Sequence, residues 1–205
     1  MGCELHRLRG STLGIVGMGR IGTATALRAK PFGIDVAFYD PYVPDGTDKA
    51  LGLTRHETLE GLLAVSHLIS LHTPLTTETR SMVDGAFLGS IRSGATLVNT
   101  ARGGILDLDA VEAALRDGRL RAVGLDVLPE EPPPAASHPL IRAWRNREEW
   151  LTGRMLVTPH AAFFCEGSFE EMCRKAAQEA IRVLEGDTPR NWVNRRHFEE
   201  RGRVD

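Results

Sequence analysis

The sequence contains little cysteine and no long hydrophobic run. Its three cysteines, Cys3, Cys165 and Cys173, show no CxxC spacing. This pattern argues against a disulfide framework or a metal site, predicts a cytoplasmic protein, and leaves Cys165 and Cys173 as expected packing residues. No apolar run approaches the ~20 residues that span a bilayer, and the first residues lack the apolar centre of a secretory signal. We therefore expect no metal and no membrane partner.

The sequence also lacks an excess of charge of either sign. Its 25 Lys and Arg residues nearly balance 27 Asp and Glu residues, and the formal net charge is −2. A strongly basic surface for nucleic acid or a membrane is therefore not expected. The length of 205 residues allows one sizeable core, or one domain plus a fragment.

Short apolar runs alternate with stretches of helical spacing, which predicts βαβ units and a doubly wound parallel α/β sheet of the Rossmann type. The predicted strands cover residues 12–17, 35–39, 66–71, 95–99, 122–126 and 155–158. The predicted helices cover residues 20–31, 57–64, 87–91, 108–117 and 169–184, with a further helix within 138–150. We predict a lead-in segment over 1–10, the Rossmann domain over 11–187 and a tail over 188–205.

The ends of the predicted strands carry residues suited to binding or catalysis. They are Gly17, Asp40, His72, Asn99, Asp126 and His160. Because an open parallel sheet binds its ligands at the carboxyl ends of its strands, these residues predict a site along one sheet edge.

A glycine-rich turn follows the first strand and opens the first helix. Gly17-Met18-Gly19-Arg20-Ile21-Gly22 matches G-x-G-x-x-G, in which the glycines permit a tight turn, close approach of a pyrophosphate, and helix–strand packing. Asp40 follows Gly22 by 18 residues and suits a ribose 2′-OH while repelling a 2′-phosphate. Together they predict NAD, although glycine turns also serve other nucleotides or packing, and Asp40 also suits the turn before Pro41.

Three further motifs follow the glycine turn. They are Asn99-Thr100-Ala101-Arg102-Gly103-Gly104, Asp126-Val127-Leu128-Pro129-Glu130-Glu131-Pro132 and Thr158-Pro159-His160. In this order they resemble the D-isomer specific 2-hydroxyacid dehydrogenase family, from about Leu8 to Asn194. The segments 38–42, 101–104, 160–164 and 191–194 look closest to the branch of the C-terminal-binding-protein corepressors. Phe163 in place of that branch's tryptophan, and a longer loop between Pro132 and Thr158, fit a bacterial-type enzyme relative instead.

The resemblance implies a role for each of the three motifs. His160 would be the general acid/base, Glu131 its carboxylate partner and Arg102 the anchor of a 2-keto or 2-hydroxy acid substrate. Histidine titrates near neutral pH, and arginine can grip a carboxylate with two hydrogen bonds. Glu130 competes with Glu131, but the family position directly precedes the proline. The remaining residues that the resemblance places at NAD are His72, Thr73, Pro74, Thr100, Ala101 and Asp126.

The resemblance also implies a homodimer and a second, substrate-binding domain built largely from residues ahead of the glycine turn. The segment before Thr12 is too short to hold that domain, so we expect only the cofactor domain here, with poor activity on its own. The first interpretation is thus the cofactor domain of an NAD-dependent D-2-hydroxyacid dehydrogenase. A non-catalytic, dimerising, corepressor-like NAD-binding module is the alternative, and an S-adenosylmethionine-dependent methyltransferase is a more distant one. The remaining histidines are expected to be surface or core residues: His6, His56, His67, His138 and His197.

Overall fold

The computed structural model describes residues 7–190 and Trp192. The expectations for Cys3, His6, Val193, Asn194 and His197 lie outside the described residues, as does Asn191. Most of the predicted lead-in segment and tail is therefore also outside them.

A parallel sheet forms the centre of the chain, as the alternating pattern predicted. Its seven strands in the described part of the chain are β1 (Thr12–Val16), β2 (Asp35–Tyr39), β3 (Thr54–Arg55), β4 (Leu68–Leu71), β5 (Ala95–Asn99), β6 (Leu120–Leu125) and β7 (Met155–Val157). They lie in the order β3-β2-β1-β4-β5-β6-β7, and every neighbouring pair is parallel. The order reverses between β1 and β4, which is the switch point of a doubly wound Rossmann sheet.

Helices connect the strands. They are α1 (Arg20–Ala29), α2 (Thr47–Leu51), α3 (Leu59–Val65), α4 (Gly85–Ser90), α5 (Leu108–Arg116), α6 (Pro139–Arg145) and α7 (Glu166–Leu184). Side-chain caps explain several starts, since Thr58, Asp84 and Asp107 each accept hydrogen bonds from backbone N–H groups in the first turn that follows. Short 3₁₀ turns cover Lys30–Phe32, Gly103–Ile105 and Glu149–Leu151.

Three elements differ from the sequence prediction. The short α2 and the two-residue β3 were missed, because such short elements show too little periodicity. Within the predicted helical stretch 138–150, the helix ends at Arg145 and a 3₁₀ turn follows at Glu149–Leu151.

Both faces of the sheet are buried. Ile15 of β1 and Phe38 of β2 belong to one apolar cluster, whereas their neighbours Val16 and Ala37 belong to another. Successive side chains of a strand point to opposite faces, so this alternation places one cluster on each face. Because both faces are packed, the residues at the carboxyl ends of the strands are held in fixed positions.

The chain forms two compact units, Met1–Ala162 and Phe163–Asp205. The first unit contains every strand of the sheet, and the second contains α7.

Cys165 and Cys173 are both exposed, so the expectation that they pack in a core is wrong. Cys165 instead caps α7 by accepting a hydrogen bond from Ser168 N–H. Across the described residues, no helix combines the length and apolarity needed to cross a membrane.

Candidate active site

The three motif glycines meet different surroundings. Gly17 has a φ of +94°, and a Cβ there would lie 2.9 Å from the carbonyl carbon of His72. A Cβ on Gly22 would lie 2.1 Å from Gly17 O, so α1 can approach β1 only with glycine at this position. A Cβ on Gly19 would meet nothing within 4 Å. The turn is thus tight at its two ends and open in the middle, as a phosphate cradle requires.

The amino end of α1 faces the open part of this cradle. Gly19 is the N-cap, and no side chain provides a cap hydrogen bond there. Arg20 and Ile21 in the first turn are exposed. The backbone N–H groups of this turn are therefore available to an anion, and the helix dipole favours negative charge at this end.

Asp40 fastens the glycine turn to the end of β2. Its Oδ2 accepts a hydrogen bond of 2.7 Å from Met18 N–H, and its Oδ1 accepts one of 2.8 Å from Tyr42 N–H. The turn role considered for Asp40 is therefore present in the structure. A carboxylate has further lone pairs, and this one lines a cavity of about 420 Å³ together with Gly17 and Gly19. A ribose hydroxyl can still be accepted there.

The loop after β4 forms the opposite wall of this cavity. His72 and Thr73 line it, and Thr73 Oγ1 is buried with no hydrogen-bond partner among the residues that the structure describes. Burial lowers the pKa of His72 and so favours its neutral form, and its Nε2 lies 2.9 Å from Ser70 Oγ. A second cavity brings Arg102, the predicted substrate anchor, together with predicted cofactor residues, which are Ile21, His72, Thr73, Pro74, Thr100 and Ala101. The glycine cradle and the unpartnered Thr73 hydroxyl both fit a dinucleotide.

Tyr42 and Glu78 are residues of the first cavity that the sequence did not single out. The Tyr42 hydroxyl donates a hydrogen bond to the Glu78 carboxylate and so joins the loops that follow β2 and β4. This hydrogen bond and the charge of Glu78 raise the pKa of Tyr42. Glu78 lies in no motif, and Tyr42 lies in segment 38–42, which carried a resemblance but no site role.

A buried asparagine shapes the loop that carries Arg102. Asn99 Oδ1 accepts a hydrogen bond of 2.9 Å from Ala101 N–H, and its Nδ2 donates one of 2.9 Å to Arg102 O. Asn99 is fully buried, while the Arg102 side chain is exposed and donates to Ala101 O at 2.6 Å. A Cβ on the next residue, Gly103, would lie 1.9 Å from the carbonyl carbon of Leu128. The arginine loop therefore rests directly on the glutamate loop.

His160 and Glu131 form a hydrogen-bonded pair. His160 Nδ1 lies 2.7 Å from Glu131 Oε2, and Glu131 Oε1 accepts a hydrogen bond of 2.6 Å from Leu128 N–H. Glu130 lines a different cavity. His160 has a φ of +53°, and its N–H donates to Asp126 O at 2.8 Å. Such a backbone conformation is uncommon outside glycine and is often found at functional sites.

Asp126 holds the loop that carries His160 through three hydrogen bonds. Its Oδ1 accepts hydrogen bonds from Thr158 Oγ1 at 2.6 Å and Ala161 N–H at 2.8 Å, and its Oδ2 accepts one from Ala162 N–H at 3.0 Å. Burial opposes ionisation, but these three donors and the nearby His160 outweigh it and lower the pKa of Asp126. The sequence did not predict this role. The placement of Asp126 beside the nicotinamide amide remains a prediction.

A third cavity, of about 390 Å³, lies against the pair and is lined by both His160 and Glu131. Trp144 and Arg145 of α6 line it as well. Nothing in the sequence motifs pointed to Arg145.

Two histidines outside the site have structural contacts. His67 Nδ1 accepts a hydrogen bond of 3.0 Å from Thr12 N–H, and His138 caps α6 by accepting one of 3.1 Å from Leu140 N–H. Within residues 7–190 and Trp192, no cluster of three or more His, Cys, Asp or Glu side chains is arranged to hold a metal.

Comparisons with known proteins agree with this geometry. The sequence profile described as "D-isomer specific 2-hydroxyacid dehydrogenase, NAD binding domain" matches residues 2–162. C-terminal-binding protein 1 of Caenorhabditis elegans is 37% identical over 190 residues, covering 92% of this chain and 25% of that protein. D-3-phosphoglycerate dehydrogenase of Methanocaldococcus jannaschii is 35% identical over 198 residues, covering 94% of this chain and 34% of the relative.

Among solved structures, the D-lactate dehydrogenase of Lactobacillus jensenii with NAD⁺ superposes with a TM-score of 0.76 at 27% identity. The match covers 92% of this chain and 57% of that one. The chain thus spans a quarter to a third of the length of these curated relatives, and about half of the solved structure.

Proposed function

The chain belongs to the D-isomer specific 2-hydroxyacid dehydrogenase family, of which it is an NAD-binding domain, and from this we propose that it is the cofactor half of an active enzyme. The reaction is hydride transfer between NAD(H) and a 2-hydroxy or 2-keto acid. The observation that carries the proposal is the 2.7 Å contact of His160 Nδ1 with Glu131 Oε2. Proton transfer to the C2 oxygen requires an acid/base group held in place by a partner, and this pair meets that requirement.

The residues that would hold NAD come from three loops at the carboxyl edge of the sheet. The glycine turn and the amino end of α1 would take the pyrophosphate. Asp40 would accept a ribose 2′-OH, and Thr73 would provide its unpartnered hydroxyl. Bound NAD(H) supplies or accepts the hydride at C2 of the substrate.

His160 moves the proton of the reaction. In the reducing direction its Nε2–H donates a proton to the C2 oxygen as the carbonyl becomes an alcohol, and in the reverse direction Nε2 takes that proton back. Glu131 accepts the Nδ1–H, which fixes the orientation of the ring. Arg102 pairs with the substrate carboxylate and polarises the C2 carbonyl. One hydride and one proton are thus added for each keto acid reduced.

The test uses an enzyme form in which a substrate domain accompanies these residues. His160→Gln should abolish most reduction of 2-keto acids, because no other proposed group delivers the proton, while NADH binding measured by fluorescence stays within about twofold. Retained turnover would contradict the acid/base role. We expect the 205 residues alone to bind NAD(H) and to reduce keto acids poorly, because Arg102 by itself cannot fix both ends of the substrate.

We further propose that the protein is a cytoplasmic homodimer whose subunits meet through the Rossmann unit. The segment Trp144–Trp150 is our candidate for added contacts at that interface, because tryptophan and arginine are enriched at interfaces. Trp144 and Trp150 are both partly buried on their own domain, and Arg116 lies 3.9 Å over the Trp150 ring. That packing supports a structural role for the segment beside any interface role. A monomer by light scattering at micromolar concentration would contradict the dimer.

A second candidate function is a non-catalytic, NAD-binding and dimerising module of the corepressor type. The 37% identity with C-terminal-binding protein 1 of Caenorhabditis elegans favours it. The two candidates separate in one assay of the form that includes a substrate domain. Tight NADH binding without reduction of small, aromatic or bulky 2-keto acids would support the module.

A further inference from the structure

Three successive prolines follow the glutamate of the acid/base pair. Pro132, Pro133 and Pro134 have no N–H group, so this segment cannot donate hydrogen bonds to the rest of the loop. Their carbonyl groups still need donors. Arg145 supplies donors for two of them: its Nη2 donates to Pro133 O at 2.6 Å, and its Nη1 donates to Pro134 O at 2.7 Å. Pro134 O also accepts a hydrogen bond of 3.1 Å from Ser137 N–H.

The helix that carries Arg145 is firmly attached. Leu140, Ile141 and Ala143 of α6 are buried in the main apolar cluster. At the start of the helix, His138 Nε2 lies 2.9 Å from Asp109 Oδ1 of α5. Arg145 Nη1 also lies 3.4 Å from Ser137 Oγ, a residue that is itself buried. The position of the Arg145 guanidinium group is therefore fixed by the packing of α6.

The proline segment restricts the position of the Glu131 backbone. Each proline ring locks its φ near −65°, so few torsions separate the carbonyls that Arg145 holds from the backbone of Glu131. On its other side, Glu131 Oε1 accepts the Leu128 N–H. Glu131 is thus held between the Leu128 amide and the arginine-bound prolines, and its remaining oxygen faces His160 Nδ1.

We propose that Arg145 is a positioning residue of the acid/base pair. By binding the Pro133 and Pro134 carbonyls, it keeps the Glu131 carboxylate within hydrogen-bond distance of His160. It acts through Glu131 and is assigned no contact with substrate or cofactor. Its importance for catalysis rests on the proposed function, whereas its effect on the geometry of the pair does not.

The experiment follows the hydrogen-bonded Nδ1–H proton of His160 by NMR in the chain itself, with His160→Gln identifying the signal. Arg145→Gln removes the two charge-assisted donors, and we expect exchange of this proton with water to quicken about tenfold. Arg142→Gln is the matched control, because it lies exposed on the same helix and removes the same charge. It should leave the exchange rate within about twofold of the wild type. NADH binding should be unchanged in both variants.

The glutamine substitution could also loosen α6, and a change in the fluorescence of Trp144 would reveal this. Arg145→Lys is the second variant that tests the proposal in that event. Lysine keeps the charge but has no planar fork to reach two carbonyls, so an intermediate exchange rate is expected. Exchange at the wild-type rate in Arg145→Lys, or equal rates in Arg145→Gln and Arg142→Gln, would overturn the proposal. A changed exchange rate together with an inactive wild-type enzyme would instead reject the proposed function and leave the positioning intact.

Discussion

The contact between the arginine loop and the glutamate loop predicts a strong effect of one methyl group. A Cβ on Gly103 would lie 1.9 Å from the carbonyl carbon of Leu128, 2.0 Å from its oxygen and 2.4 Å from Pro129 N. Non-bonded carbons need about 3.5 Å, so Gly103→Ala must drive the two backbones apart by about 1.6 Å. Overpacking of this kind costs about 1–3 kcal/mol, and a clash of backbone with backbone belongs at the upper end.

The neighbouring glycine supplies the control. A Cβ on Gly104 would meet only the Leu75 side chain, at 3.0 Å from its Cδ2, and a side-chain end can rotate away. Both glycines lie in the same 3₁₀ turn, so the substitutions are matched in backbone setting. A domain of this size loses about 2–4 °C of Tm for each kcal/mol. Gly103→Ala should therefore melt roughly 6–12 °C below the wild type by calorimetry, and Gly104→Ala within about 2 °C of it.

The displacement also reaches the proposed chemistry. The Leu128 amide that holds Glu131 belongs to the peptide chain pushed by the new methyl group, and Arg102 precedes Gly103 directly. A misplacement of ~1 Å can lower a rate by about 10²-fold. In the form with a substrate domain, kcat for keto-acid reduction should fall by about that factor in Gly103→Ala alone. Equal melting temperatures and equal rates for the two alanine variants would refute the loop-on-loop contact.

Three further predictions address single side chains. Replacing Asp40 by Asn keeps a hydrogen-bond acceptor but removes the charge that would repel the 2′-phosphate of NADP. The preference for NAD over NADP should therefore fall by about tenfold in calorimetric titrations. An unchanged ratio of the two dissociation constants would show that Asp40 does not select the cofactor. Glu131→Gln should slow keto-acid reduction by about tenfold, because a neutral amide holds the Nδ1–H of His160 more weakly than a carboxylate does, and an unchanged rate would reopen the case for Glu130. The lowered pKa of Asp126 stabilises the fold above the ordinary value of 3.8, and this stability is lost as the pH falls through the folded value. Asp126→Asn should therefore lower the free energy of unfolding near neutral pH by about 1.5–3 kcal/mol in urea titrations. It should also weaken the dependence of that free energy on pH in the acid range. The same pH dependence as in the wild type would exclude Asp126 as the titrating group.

The local features of the site could be read from the sequence because the residues that form them are close in the chain. The glycine turn needs only a strand, six residues and a helix, and the clash of a Gly22 Cβ with Gly17 O occurs inside that motif. The carboxyl ends of β1, β2 and β5 were likewise marked by apolar runs that stop at Gly17, Asp40 and Asn99. The Rossmann sheet and NAD as cofactor follow from the same signals, and the structure and the family match confirm both.

Other features depend on how distant loops meet. Glu130 and Glu131 have the same chemistry, and only the path of the loop places Glu131 against His160 and Glu130 in another cavity. Asp126 satisfies three donors from residues that lie more than thirty positions away, between Thr158 and Ala162.

The sequence by itself determined the order of strands and helices, the phosphate cradle and the residue types at the carboxyl edge, because periodicity and glycine spacing act over a few residues. Tertiary structure alone shows why Gly103 has no side chain and that Arg145 holds the proline segment. It also brings Glu131, which the family resemblance had favoured over Glu130, into contact with His160. Each of these depends on two backbones or side chains brought within about 3 Å by packing elsewhere. No spacing along the chain encodes that distance.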